Sequence, residues 1–255
     1  MGKGLQNTVA LVTGANGAIG KAICVALARD GATVVPSDVV RPEGEPLSLA
    51  LDVTNEQSWR DAIEAINTRH GQLYILVNNA GIAPMGRIED MTLDEWRRTQ
   101  SVNVEGAFLG TKSAASLLRA SGNARIGGAA IVNIASGAAD RPAAFSGAYC
   151  TSKAALAMFT RVTAIEFAAL GYPIRVNSVH PGALRSPMMD DILGRYAEIT
   201  GQSVSDLSAA VLARHPMGRY VEPDDVADAV AFLASGAARY IHGDALHVDG
   251  GHAAA

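Results

Sequence analysis

The sequence predicts a doubly wound α/β fold, a parallel β-sheet with helices packed on both faces. Two observations carry this. Short apolar runs rich in β-branched residues alternate with longer segments of helical period along the 255 residues. The chain is also 49% hydrophobic with mean hydropathy +0.15, enough to bury strands in one large core, so a single domain over residues 1–255 is expected.

The elements follow in order. A strand over Thr8–Thr13 leads into a helix over Ala18–Arg29, and a second strand covers Ala32–Ser37. Asp38 to Pro46 contain Pro42, Gly44 and Pro46, too short and too broken for a crossover helix, so that connection is expected to be a loop. A strand over Leu47–Leu51, a helix over Glu56–Arg69 and a strand over Leu73–Asn78 come next. A long helix over Leu93–Ala120, a strand over Ala129–Ala135, a helix over Ala148–Leu170 and a strand over Ile174–Val179 repeat the alternation. A broken helical pair within Met188–Ala213, a helix over Pro223–Leu233 and a strand over Ala245–Val248 complete it. No repeat, low-complexity tract or linker interrupts the pattern.

Charge narrows the function classes. With 25 acidic against 21 basic residues and no Lys/Arg block, nucleic acid is not expected as a partner. No apolar stretch is long enough to span a bilayer, and Met1 to Gln6 lack the charged lead and apolar core of a signal peptide. Gln6 stands where myristoylation of Gly2 would need Ser or Thr. A cytoplasmic protein without a membrane partner is expected. Cys24 and Cys150 fall in different helical patterns and read as two buried thiols rather than a disulfide.

Thr13-Gly14-Ala15-Asn16-Gly17-Ala18-Ile19-Gly20 follows a strand and opens a helix. A dinucleotide pyrophosphate needs such a place, where backbone N–H groups and a helix N-terminus can be approached closely. A glycine-rich turn alone also fits a tight turn without ligand. Asp38 adds to it: it ends the second strand 18 residues past Gly20, near the spacing at which a carboxylate bonds the adenosine ribose hydroxyls. A carboxylate there repels a 2′-phosphate, and Asn16 is no cation, so NAD rather than NADP is expected.

Ser136, Tyr149 and Lys153 form the second constellation. Ser136 ends a buried strand, while Tyr149 and Lys153 lie four apart on one helix face. A free phenol is only ~0.1% ionised at pH 7. A cation about 4 Å away at an effective dielectric near 20 contributes ~4 kcal/mol, or ~3 pKa units, so Lys153, with help from the positive charge of an oxidised nicotinamide, is expected to lower the pKa of Tyr149 and make it a usable acid/base.

These residues, with others in the same order, resemble the short-chain dehydrogenase/reductase family over Thr8 to about Gly251. The shared features are the glycine-rich turn, Asp52-Val53, Asn78-Asn79-Ala80-Gly81, Asn103 in Val102-Asn103-Val104, Ser136 with Tyr149 thirteen residues on, Tyr149-x-x-x-Lys153, Pro181-Gly182 and Val248-Asp249-Gly250-Gly251. The resemblance implies a Rossmann-type fold, a nicotinamide cofactor and a commonly tetrameric homo-oligomer. It implies that Asp52 and Val53 hold the adenine, and that Asn79, Ala80 and Gly81 support the sheet and line the cofactor. Asn103 would complete a catalytic tetrad by holding a water that relays protons from Lys153. Lys153 would also bond the nicotinamide ribose, and Pro181, Gly182, Leu184 and Ser186 would meet the carboxamide. Two positions depart from the family's pattern. Ala18 stands where the family usually has glycine, with Gly17 displaced by one, and Ser186 stands where threonine is usual; altered packing and a retained hydroxyl contact are expected.

His70, His180, His215, His242, His247 and His252 show no metal-ligand spacing, so no metal is expected. The resulting expectation is an NAD-dependent oxidoreductase that interconverts a secondary alcohol and its ketone, with Tyr149 as acid/base. Dihydrodiol, polyol and hydroxysteroid dehydrogenases or a 3-oxoacyl carrier-protein reductase are alternatives within the same chemistry. A catalytically silent NAD-binding protein is the alternative outside it. The substrate pocket is expected from Ala138, Ala139, Phe145, Ala183 and a lid over about 185–215 carrying Met188, Met189, Ile192, Leu193 and Tyr196. Met188, Ile192 and Tyr196 share one helical face, from which Asp191 and Arg195 point away.

Overall fold

A seven-stranded, all-parallel sheet with strand order β3-β2-β1-β4-β5-β6-β7 organises the computed structural model, which describes residues 4–254. Gly2, singled out above, lies outside the described residues. The strands are β1 (Val9–Thr13), β2 (Thr33–Asp38), β3 (Leu49–Ala50), β4 (Ile75–Asn78), β5 (Ala129–Ile134), β6 (Ile174–Pro181) and β7 (Ala245–Val248). Alternation along β1 shows how residues choose faces. Ala10 and Val12 join a core with Ile23 and Leu27 of α1 (Ala18–Arg29) and Val226 and Val230 of α8 (Pro223–Ala234). Val9 and Leu11 join a second core with Trp59 and Ile66 of α2 (Glu56–His70), Leu118 of α4 (Gly106–Gly122) and Phe167 of α5 (Gly147–Ala169). Strand order reverses between β1 and β4, and the carboxyl ends of those strands open the crevice in which ligands of this fold bind.

Two expectations change. The helix read as continuous from Leu93 to Ala120 is divided: α3 (Leu93–Gln100) passes through a π-helical turn at Ser101–Glu105 before α4 begins. The side chain of Asn103, inside that turn, is bonded to the Ile82 backbone. β3 is also shorter than the expected Leu47–Leu51. The Ser48 hydroxyl donates to the Pro42 carbonyl at 2.8 Å and its N–H to Glu45, which holds the chain in a turn until Leu49. No helix separates β2 from β3, as the prolines require.

Two further helices, α6 (Pro187–Thr200) and α7 (Val204–Ala213), form the broken pair, divided at Gly201 in the left-handed region. Among the described residues no helix is long and apolar enough to cross a membrane, and Cys24 and Cys150 are both free.

Candidate active site

A cleft of about 1700 Å³ runs along the carboxyl ends of the strands. Gly14, Asn16, Gly17, Ala18, Ile19, Gly20, Asp38, Asp52, Val53, Asn79, Ala80, Gly81, Ser136, Tyr149, Lys153, Pro181, Gly182, Leu184 and Ser186 all border it. Of the residues expected in catalysis and cofactor binding, Asn103 alone does not, and it stands behind Gly81 and Ile82.

The glycine turn is clamped from β4. The Asn79 amide donates to the carbonyls of Thr13 and Gly14 at 2.8 and 3.1 Å, and the Thr13 hydroxyl accepts N–H groups of Asn79 and Ala80. Gly14 has φ +64°, and a Cβ there would lie 2.8 Å from the Ala80 backbone, so only glycine allows this approach. Gly17 starts α1 without a side-chain cap, leaving the first-turn N–H groups for an anion. This uncapped helix end, the glycine cradle and the room in the cleft fit a dinucleotide.

Asp38 ends β2, and its carboxylate accepts the N–H of Asn16 at 3.0 Å and its own neighbour Val39 at 2.8 Å. The Asn16 side chain donates to the Val40 carbonyl at 2.7 Å, so the turn and the strand end are tied twice. Asp52 accepts both the N–H and the hydroxyl of Thr54, which fixes its orientation at the cleft.

Ser136, after β5, caps a short 3-10 turn by accepting the Ala138 N–H at 3.1 Å. Lys153 is buried in α5, and its Nζ lies 5.7 Å from the centre of the Tyr149 ring. Burial pushes the Tyr149 phenol up, against the opposing contact with Ser136, and burial lowers Lys153 to about 8. In the chain without cofactor, desolvation thus disfavours the charged form of both groups. Asn103 donates to the Ile82 carbonyl and to Ser152, each at 2.9 Å, while its Oδ1 accepts the Ile82 N–H. A methyl group on Gly81 would lie 3.3 Å from both Asn103 Oδ1 and Lys153 Nζ, so glycine leaves these two polar atoms facing a common space.

Toward the other end, Ala138, Ala183, Met188, Met189, Ile192, Leu193 and Tyr196 line the cleft as expected, whereas Ala139 and Phe145 do not. Phe145 sits at φ +63° and packs its ring edge-on against Tyr196 at 5.2 Å, supporting the wall from behind. Asp190, Asp191, Arg185 and Arg195 stay off the wall: Arg185 lies over the Tyr220 ring and Arg195 pairs with Glu198. Arg141 does line the cleft. Sequence reasoning missed Met85, Arg98, Leu207, Val211 and Arg214 there; the i, i+4 spacing of Leu207 and Val211 on α7 was a usable signal. Ser186 caps α6, accepting the Met189 N–H at 3.3 Å.

The fold and the relatives that share it mark the chain as a nicotinamide-dependent oxidoreductase that acts on a CH–OH group. The family profile described as enoyl-(acyl carrier protein) reductase matches residues 14–253. A cyclopentanol dehydrogenase of Comamonas sp. is 37% identical, with 98% of each chain covered. An NADP-dependent (R)-specific alcohol dehydrogenase of Lentilactobacillus kefiri is 33% identical, again over 98% of each. The crystal structure of a Brucella melitensis 3-ketoacyl-(acyl-carrier-protein) reductase complexed with NADH is similar at TM-score 0.85 and 32% identity, covering 98% of this chain and 99% of that one. The chain belongs to the short-chain dehydrogenase/reductase family.

Proposed function

We propose that this chain interconverts an uncharged, apolar secondary alcohol, cyclic or aryl-alkyl, and its ketone with NAD. The observation that carries the reading is that Ser136, Tyr149 and Lys153 share one cleft with the apolar side chains of α6. The named activity of the cyclopentanol dehydrogenase supports a cyclic substrate. In oxidation the Tyr149 phenolate takes the hydroxyl proton while Ser136 donates a hydrogen bond to the substrate oxygen, and in reduction both roles reverse. A bound nicotinamide supplies the hydride acceptor or donor. Lys153 positions the cofactor ribose and adds positive potential beside Tyr149, and Asn103 Oδ1, facing Lys153 Nζ, holds a water for proton exit. Backbone at Leu184 and the Ser186 hydroxyl meet the carboxamide, while α6 and α7 act as the lid.

Asp38 supports NAD, since its carboxylate would face a 2′-phosphate and its neighbours Val39 and Val40 are exposed and uncharged. Exposed Phe108 on α4 and Met158, Val162 and Ile165 on α5 form an apolar face suited to a homotetramer. Two free thiols suit a reducing cytoplasm. The test is kcat/KM for cyclopentanol against a hexitol, each with NAD and NADP. Faster turnover of cyclopentanol with NAD is expected; a clear win for the hexitol removes the apolar substrate, and equal rates with NADP remove the cofactor assignment.

A further inference from the structure

Asp140, His180 and His247 come from three separate parts of the chain and meet beside the edge of the sheet. His180 on β6 and His247 on β7 are cross-strand partners, so the ladder sets their rings side by side at 4.9 Å. Asp140 follows the 3-10 turn that begins after Ser136. Its Oδ2 lies 3.0 Å from His180 Nδ1 and 3.0 Å from His247 Nε2, and the three donor atoms all fall within 4.8 Å of one another. Neither imidazole is used by the chemistry proposed above.

The far side of His180 offers a partner that can hold the ring for ligation. Its Nε2 lies 2.9 Å from the Ser178 hydroxyl, and that hydroxyl donates to the Asp244 carbonyl at 3.3 Å. Each ring nitrogen of His180 thus has a polar neighbour, Ser178 on one side and Asp140 on the other. With its hydrogen on Nε2, the ring would turn the Nδ1 lone pair toward the Asp140 carboxylate, as ligation requires. An outer hydrogen bond of this kind is what orients a metal-ligating histidine.

We propose that Asp140, His180 and His247 bind one divalent transition-metal ion of the zinc type. Two imidazole nitrogens and one carboxylate oxygen are the donor set such ions select, whereas magnesium and calcium prefer oxygens alone. Ligands about 2.0–2.2 Å from a tetrahedral zinc stand about 3.3 Å apart, so the present spacings need adjustments of an ångström or so. His180 is fully buried, but the side chains of His247 and Asp140 are 32% and 41% exposed, which gives the ion access and leaves a fourth position for water. Arg161 on α5 adds positive potential at His180. A site there must rest on donor strength rather than on charge alone, which again favours a zinc-type ion. The bound ion would clip the segment between Ser136 and Arg141 to β6 and β7.

The full chain, dialysed against EDTA and then metal-free buffer, is titrated with Zn²⁺ by calorimetry and with Co²⁺ by visible absorption. One equivalent is expected to bind, with the absorption of a low-coordinate cobalt site and a higher Tm with Zn²⁺. His247→Gln and, separately, Asp140→Asn should weaken binding at least tenfold and remove the Tm shift, while His70→Gln should not. Asp140→Asn carries the test if His247→Gln fails to fold. Absence of saturable binding in the parent chain overturns the proposal, and so does binding that survives unchanged in either ligand variant.

Discussion

Lys153 gives a hydrogen bond to the carbonyl of Ile134 at 2.8 Å, two residues before Ser136 on the same strand end. The end of β5 therefore sets both the hydroxyl and the ammonium that flank Tyr149.

Tyr149→Phe should lower kcat by at least about 10²-fold while cofactor affinity stays within a fewfold, because only the proton-transfer group is deleted. Steady-state rates and a fluorescence titration with NADH measure the two effects. Turnover close to the parent's would mean that another group handles the proton.

Lys153 makes stability depend on pH. Its folded pKa of about 8 lies below the ordinary 10.5, so between those values the unfolded chain holds the extra proton. Stability contributed at this site rises with pH, by up to about 1.4 kcal/mol per unit. Cys24 opposes this above its ordinary 9.0 in parent and variant alike. Urea unfolding of the cofactor-free parent and of Lys153→Met at pH 8 and 9 should show the difference moving in the parent's favour. A constant difference would mean that the ammonium is not desolvated.

Replacing Asp38 with Ala removes the carboxylate at the end of β2 and its bonds to Asn16 and Val39. The ratio of kcat/KM for NAD to that for NADP should fall at least about tenfold, since ~1.4 kcal/mol of discrimination equals one decade. An unchanged ratio would show that Asp38 does not select the cofactor.

Burial, with Glu45 nearby, pushes the Cys24 thiol up to about 12. At pH 8 about one thiol in 10⁴ is then thiolate, against roughly one in ten at the ordinary value, and the thiolate is the reactive form. Iodoacetamide should label Cys24 about 10³-fold more slowly in the folded chain than in urea. Labelling within tenfold of the unfolded rate would show an open thiol.

Local pattern made much of this molecule legible. The helix at Ala18–Arg29 and the strand at Ala245–Val248 stand where the sequence places them, because each is a periodic or apolar run with clear ends. The glycine turn and Asp38 lie on the cleft because a strand, a turn and a helix start fix both. What escaped depends on distant partners. The π-turn at Ser101–Glu105 has no glycine or proline within it to mark it, and the Asn103 side chain inside it is bonded to Ile82, far off in sequence. Phe145 was expected in the pocket, but its positive φ, which no phenylalanine signals, turns the ring to Tyr196. Asp140, His180 and His247 carry no short spacing because the sheet, not a motif, brings them together.

The Gly182 N–H donates to the Val248 carbonyl at 3.0 Å, so the wall beside the expected carboxamide contact is finished by a strand far downstream. On the ribosome, β1, α1 and β2 can emerge and meet long before that strand exists. A nascent chain can thus shape the adenosine half of its crevice early but cannot close the reactive half until β7 docks.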